Sequence, residues 1–133
     1  MNSPAEDVSA ILALSSSATG LTEGTDLFIS REPSSPDVVV TVFDTGGGEP
    51  ASTDVKYEFP TVQVRVRGTA ITGYSTAYTT LETIKGVLHK FKNQTINGTK
   101  YIGIWASSDI ISLGYDSNER PILTLNFRIH RTA

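Results

Sequence analysis

The sequence predicts an α+β fold: an antiparallel or mixed β-sheet with two α-helices packed on one face, in the order α-β-β-β-α-β-β-β. Three stretches carry this expectation. "FPTVQVRVRG" (Phe59 to Gly68) sets Val62, Val64 and Val66 against Gln63, Arg65 and Arg67 with the period of two of a half-buried strand. Near the C-terminus "PILTLNFRIHR" repeats the pattern, with Leu123, Leu125, Phe127 and Ile129 turned to a core and Thr124, Asn126, Arg128 and His130 turned away. From about Ser75 to Lys92, the residues Ala77, Leu81, Ile84, Leu88 and Phe91 recur at spacings of four, three, four and three, the apolar stripe of an amphipathic helix.

The elements follow in order. Ser3 as N-cap, Pro4 at the first helical position and Glu6 three residues after the cap compose a capping box, and Val8, Ile11 and Leu12 supply the apolar stripe behind it. Ser15 to Ser17 should end this helix, and Gly20 and Gly24 punctuate the loop beyond. "DLFISRE" (Asp26 to Glu32) reads as a short strand and the β-branched run Val38 to Phe43 as a second, broken by Gly46 to Gly48. Residues 44–58 are polar and irregular and predict a mobile loop between two strands. After the Phe59 to Gly68 strand comes the long helix, where Gly86 costs about 1 kcal/mol relative to alanine and so predicts a close packing contact. Asn97-Gly98 predicts a tight turn into "KYIGIW"; "DIISLGYD", the loop "SNER" and the last strand complete the chain. No internal repeat is present, and the whole of 1–133 reads as one domain.

Composition narrows the function classes. No run approaches the roughly 18 to 20 apolar residues of a membrane span, and Glu6 and Asp7 stand where a secretory signal would carry positive charge. The absence of cysteine removes disulfides and thiolate metal ligands, so stability must come from packing or association. A net charge of −3 argues against general nucleic-acid binding, which favours basic domains. Its distribution is uneven: residues 1–58 hold 2 basic and 10 acidic groups, a net of −8, and residues 59–133 hold 9 basic and 4 acidic groups, a net of +5. Either neighbours within the fold cancel this, or the molecule has an acidic and a basic side suited to head-to-tail contact with copies of itself.

Candidate chemistry is sparse. Asp44-Thr45-Gly46 after an apolar strand is how aspartic proteases present a carboxylate, and two chains could pair such groups around one proton. Yet Gly47 and Gly48 follow where Ala or Ser is usual, Ser112-Leu113-Gly114 only loosely matches the second segment such enzymes need, and aspartate before glycine ends many strands. Gly46 to Gly48 lacks the lysine of a phosphate-binding loop. His89, near a helix C-terminus where a cation complements the dipole, and His130, on a strand's polar face, do not compose a metal site. Asp116, Asn118 and Glu119 read as a turn rather than a calcium loop. Tyr74, Tyr78, Tyr101, Tyr115 and Trp105 could stack on bases beside Arg65 and Arg67, but no aromatic-basic motif joins them.

Taken in order, "FPTVQVRVRG", "YSTAYTTLETIKGVLHKF" and "ISLGYDSNERPILTLNFRIHR" carry a pattern of Pro-x-Val-Gln-Val-x-x-Arg-Gly, a long helix, then Leu-Gly-x-Asp, a polar turn and an Asn-Phe strand. In these segments, from Phe59 to the end, the chain resembles the minor capsid and tail terminator family of long-tailed bacteriophages. The resemblance implies a non-enzymatic virion protein with no cofactor. It implies a homo-oligomeric ring, typically a hexamer, that caps the tail tube protein, stops tube polymerisation and offers its other face to the head's connector or completion protein. DNA would pass through the lumen without specific binding. Within such a ring Arg65, Arg67 and Arg128 are expected to meet carboxylates of a neighbour's acidic half, with Asp44, Glu49 and Asp54 as candidates. The competing readings are a head-completion or connector protein of the same virion, a homodimeric aspartic protease using Asp44, and a nucleic-acid-binding module.

Overall fold

The computed structural model describes residues 1–48 and 56–132. At the N-terminus the capping box forms as its residues require: Glu6 N–H donates to Ser3 Oγ at 3.2 Å and Ser3 N–H to Glu6 Oε1 at 3.0 Å, opening α1 (Pro4–Leu14). The remaining first-turn donors are also placed, because Pro4 has none, Ala5 N–H reaches Asp44 Oδ1 at 2.9 Å and Asp7 N–H reaches Ser3 O at 3.1 Å. The serine run does not simply end the helix. It forms a separate turn, α2 (Ser16–Thr19), closed by Gly20 at φ 69°.

The strands are β1 (Leu27–Ile29), β2 (Val39–Gly48), β3 (Tyr57–Arg67), β4 (Gln94–Ile96), β5 (Thr99–Ala106), β6 (Ile111–Tyr115) and β7 (Pro121–Thr132), with α3 (Tyr74–His89) between β3 and β4. They make one mixed sheet in the order β1-β2-β3-β7-β5-β4, with β6 also on β7; β1 joins β2 in parallel and every other pair is antiparallel. The fold class is α+β as the sequence predicts, with α2 and β4 as additions. β5 pairs with the C-terminal half of β7 and β6 with its N-terminal half, so together they act as one interrupted strand. Asn97 at φ 50° and Gly98 at φ 80° make the tight β4–β5 turn, both residues left-handed as a two-residue hairpin demands.

Both helices cover the same face. Val8, Ile11 and Leu12 of α1 and Ala77, Leu81, Ile84 and Leu88 of α3 close over Val40, Val42, Val62, Val64, Val66, Leu123, Leu125, Phe127 and Ile129 as one buried cluster. At roughly 1.5–3 kcal/mol for each large apolar side chain taken out of water, this face is the main stabilising term. Phe91 lies past the end of α3 but still packs edge-on to Tyr101, with ring centroids 6.0 Å apart.

Two expectations need correction. The stretch read as a loop begins and ends in strand: β2 runs on to Gly48 and β3 starts at Tyr57. A bulge between Asp44 and Gly47 absorbs the glycines, with Gly46 at φ 92° and Gly47 at φ 141°, and Thr45 and Thr61 join hydroxyls across the ladder at 2.7 Å. A Cβ on Gly47 would collide with the Phe59 carbonyl oxygen and lie 2.6 Å from Pro60 Cα, so close backbone approach dictates that glycine. Gly86, in contrast, meets no close neighbour; it sits on the exposed side of α3 with open space where a Cβ would be.

Candidate assembly surface

The helix-free face of the sheet holds the arginines. Across it run the rungs Val39–Arg67–Ile122, Thr41–Arg65–Thr124 and Phe43–Gln63–Asn126, with Thr61 opposite Arg128 beyond them. Over the first rungs folds the segment between β1 and β2. Arg67 holds it with Nε on Asp37 O at 2.9 Å, Nη2 on Pro36 O at 2.7 Å and Nη1 on Glu32 Oε1 at 3.5 Å. Arg120 adds Nη1 on Ser34 O at 2.7 Å and its own clamp on Asp116, Nε to Oδ2 at 2.8 Å. Burial and the nearby Arg120 charge pull the Arg67 pKa down, while Glu32, Asp116 and Asp37 pull it back up.

The arginines singled out in the sequence therefore part company. Arg67 is 2% exposed and its carboxylate partner is its own chain's Glu32, which leaves no surface to offer a neighbour. Arg65 shares that carboxylate, Nε to Oε2 at 3.2 Å, with its side chain 30% exposed. Arg128 is exposed and makes no ion pair among the described residues. Asp44 is exposed yet occupied, since one oxygen takes the Ala5 amide and so ties β2 to the start of α1. Glu49 and Asp54 lie outside the described residues.

Beside Arg128 the face turns aromatic. The His130 ring lies 5.0 Å from Tyr57, edge-on, and 4.8 Å from Phe59, and Trp105 is exposed on β5 opposite Arg128. The tyrosines named above do not gather there: Tyr74 and Tyr78 stack on α3 with centroids 6.4 Å apart, and Tyr101 is buried on the other side. Among the described residues no three His, Asp or Glu side chains assemble to hold a metal ion, and no helix is long and apolar enough to cross a membrane.

Sequence reasoning missed a buried polar network that joins α1 to the far strands. Asp7 accepts Tyr101 Oη–H at 2.6 Å and Asn97 Nδ2–H at 2.9 Å, and its Oδ2 lies 3.5 Å from Arg131 Nη1. Arg131 in turn reaches Glu58 at 2.8 Å and Asn2 O at 3.1 Å. Burial, with the Asp7 bond behind it, pushes the Tyr101 phenol well above its ordinary range, so it stays a proton donor. In the sequence Asp7 looks like an ordinary first-turn acid, and nothing local says that residues 94 and 124 positions away will meet it. His89 also differs from expectation. Burial first, then Lys85 and Lys92, pulls its pKa down, and the neutral ring accepts Ala106 N–H at 2.9 Å on Nε2 instead of serving as a cation at the helix end.

The molecule is thus a small α+β protein, a sheet backed by helices on one face with a polar and aromatic opposite face. The chain belongs to the bacteriophage tail terminator protein family, whose model matches residues 16–133. It is thus a structural tail protein of a phage virion. In fold it is similar to a chain from the virion of a native gene transfer agent (GTA) particle, at TM-score 0.69 and 14% identity over 98% of this chain and 95% of that one. A second solved chain matches at TM-score 0.53 and 14% identity over 96% of each. Among curated proteins there is no match.

Proposed function

We propose that this protein forms a homo-oligomeric ring, of six copies, on the head-proximal end of the phage tail tube, where it stops tube polymerisation and provides the surface to which the head's connector or completion protein joins. The family match over 16–133 is the observation that carries this reading. The whole chain acts as one domain, is assembled in the host cytoplasm and has no catalytic duty. DNA passes through the lumen without sequence-specific contact, in keeping with a net charge of −3. In the ring Arg128 and the part-exposed Arg65 supply the cationic side of the subunit contact, and Asp44, Glu49 and Asp54 its acidic side; Arg67 has no part in it.

Loss of the protein tests the role directly. Particles lacking it should carry overlong tails, and restoring it should return tail length to normal. Tails of normal length beside unjoined heads would instead assign it to head completion. Native mass of the purified protein, followed across concentration and salt, should show a species of about six subunits.

A further inference from the structure

Past the rungs that the Glu32–Asp37 segment covers, the helix-free face of the sheet is bare. There Trp105 and Tyr57 are 41% and 43% exposed, with Phe59 and His130 half-buried between them. Trp105 lies along its own strand against Gly103, where a Cβ would stand 3.3 Å from Trp105 Cζ3. Gly103 pairs with His130, and Arg128 pairs with Trp105 on one side and Thr61 on the other. Strands β3, β7 and β5 thus supply one aromatic band with an exposed guanidinium in it, and none of its side chains is a carboxylate. Single exposed apolar residues are ordinary, but a contiguous patch of Trp, Tyr and Arg has the composition of a protein contact.

The flank of α3 beside the β5–β6 connection has the opposite charge. Tyr74 and Tyr78 stack along it, 40% and 39% exposed, and the exposed Glu82 follows one turn later. Tyr78, Glu82, Lys85 and Gly86, with Asp109 from the connection, border an open recess of about 270 Å3. Gly86 widens it, since no atom occupies the space where its Cβ would be. The charges there are two carboxylates against one ammonium, and none of the three is in an ion pair among the described residues. His89 also borders the recess but is neutral, because its pKa is pulled down by burial and by Lys85 and Lys92, and its Nε2 accepts Ala106 N–H.

From these two surfaces we infer that the aromatic band of one subunit seats on the α3 flank of a second copy, with Arg128 entering the recess between Glu82 and Asp109 and Trp105 packing on Tyr74 and Tyr78. The occupant is another copy because the two surfaces complement each other in charge and lie on opposite sides of one sheet. Each subunit then gives one surface and receives the other, which is the heterologous contact that closes a ring. The sheet also gains a helix against its uncovered face, completing its layering. This rests on the ring reading above: Glu82 and Asp109 join the acidic side of that contact, and the aromatic rings exclude water from it.

Trp105 is the only tryptophan in the chain, so its emission reports the band alone. As the protein is concentrated from monomer to ring, the emission maximum should shift to the blue and acrylamide quenching should fall severalfold, with the same concentration dependence as the native mass. Arg128→Glu, and Glu82→Lys combined with Asp109→Lys, should each raise the concentration needed for ring formation while keeping the circular dichroism of the monomer. All three substitutions in one chain restore opposite charges across every contact and should bring back both the ring and the blue shift. A ring in which Trp105 stays as quenchable as in the monomer overturns the seam and leaves the ring reading standing. Shielding that appears only when tail tubes are added assigns the band to the tube protein and overturns it as well. Charge variants without effect, or a folded triple variant that fails to re-form the ring, overturn the pairing with α3. A protein that remains monomeric at every concentration and salt overturns both readings.

Discussion

Asp7 shows how much one side chain can carry. It is fully buried, accepts from Tyr101 and Asn97 and faces Arg131, so its removal strands a guanidinium that is itself only 5% exposed. Breaking a buried pair from one side costs about 3–5 kcal/mol, and we expect Asp7→Ala to lower the urea midpoint accordingly, with Glu58 holding the loss toward the lower figure. Asp7→Leu combined with Arg131→Met should recover part of it, because the one carboxylate then left without its partner, Glu58, is 40% exposed and can be solvated. His89 gives a pH signature of known sign. Its folded pKa is depressed, so its contribution is complete above the unfolded value of about 6.5 and is lost as pH falls below that, where the unfolded chain takes up the proton first. Thermal scans from pH 8 to 5 should show a decline that flattens in His89→Gln, which keeps an acceptor but does not titrate.

Among the elements, the β2–β3 ladder and α1 depend on each other through Asp44. Its carboxylate supplies the acceptor for Ala5 N–H, a donor the helix cannot satisfy internally. Asp44→Ala should cost about 1 kcal/mol, the usual value for a lost cap, and should do so in the isolated subunit, which a purely intersubunit role would not. The bulge that starts there is less tolerant at Gly47. Gly47→Ala forces a Cβ into the Phe59 carbonyl and the Pro60 Cα, so the ladder must shift, and amide exchange in β2 and β3 should rise well above that of the parent. Gly86→Ala on α3 has the opposite sign: with space around the site, alanine should raise stability by about 1 kcal/mol. The same residue type therefore marks a steric necessity in one element and a tolerated weakness in another.

At the scale of the whole molecule, the contrast between Arg67 and Arg128 separates folding from assembly. Arg67 binds the Glu32–Asp37 segment to the sheet from a buried position, so Arg67→Glu should destabilise the monomer, visible as a lowered Tm and faster proteolysis of that segment. Arg128→Glu should leave Tm within the scatter of the parent, because the side chain is exposed, and should weaken the oligomer in a manner that added salt also reproduces. An oligomer indifferent to Arg128→Glu and to salt would remove the electrostatic part of the contact. The charge asymmetry along the chain is thus partly cancelled inside the subunit, by Glu32 with Arg65 and Arg67, by Asp37 with Arg120 and by Asp7 and Glu58 with Arg131.

Local pattern alone determined the α+β class, the capped first helix, the long helical stripe, the alternating β3 and β7 strands and the Asn97-Gly98 turn, because each rests on interactions within a few residues or on a face that must be buried. The resemblance carried by three short stretches in order was enough to place the family. Tertiary structure decided the rest. Glu32 and Arg67 stand 35 residues apart, and Asp7 and Arg131 124 apart. Such pairings are selected by the route of the chain, which composition and periodicity do not encode. An alternating strand declares which side chains leave the core, but only the packing of a distant segment decides whether they arrive in solvent, as Arg128 does, or beneath their own chain, as Arg67 does.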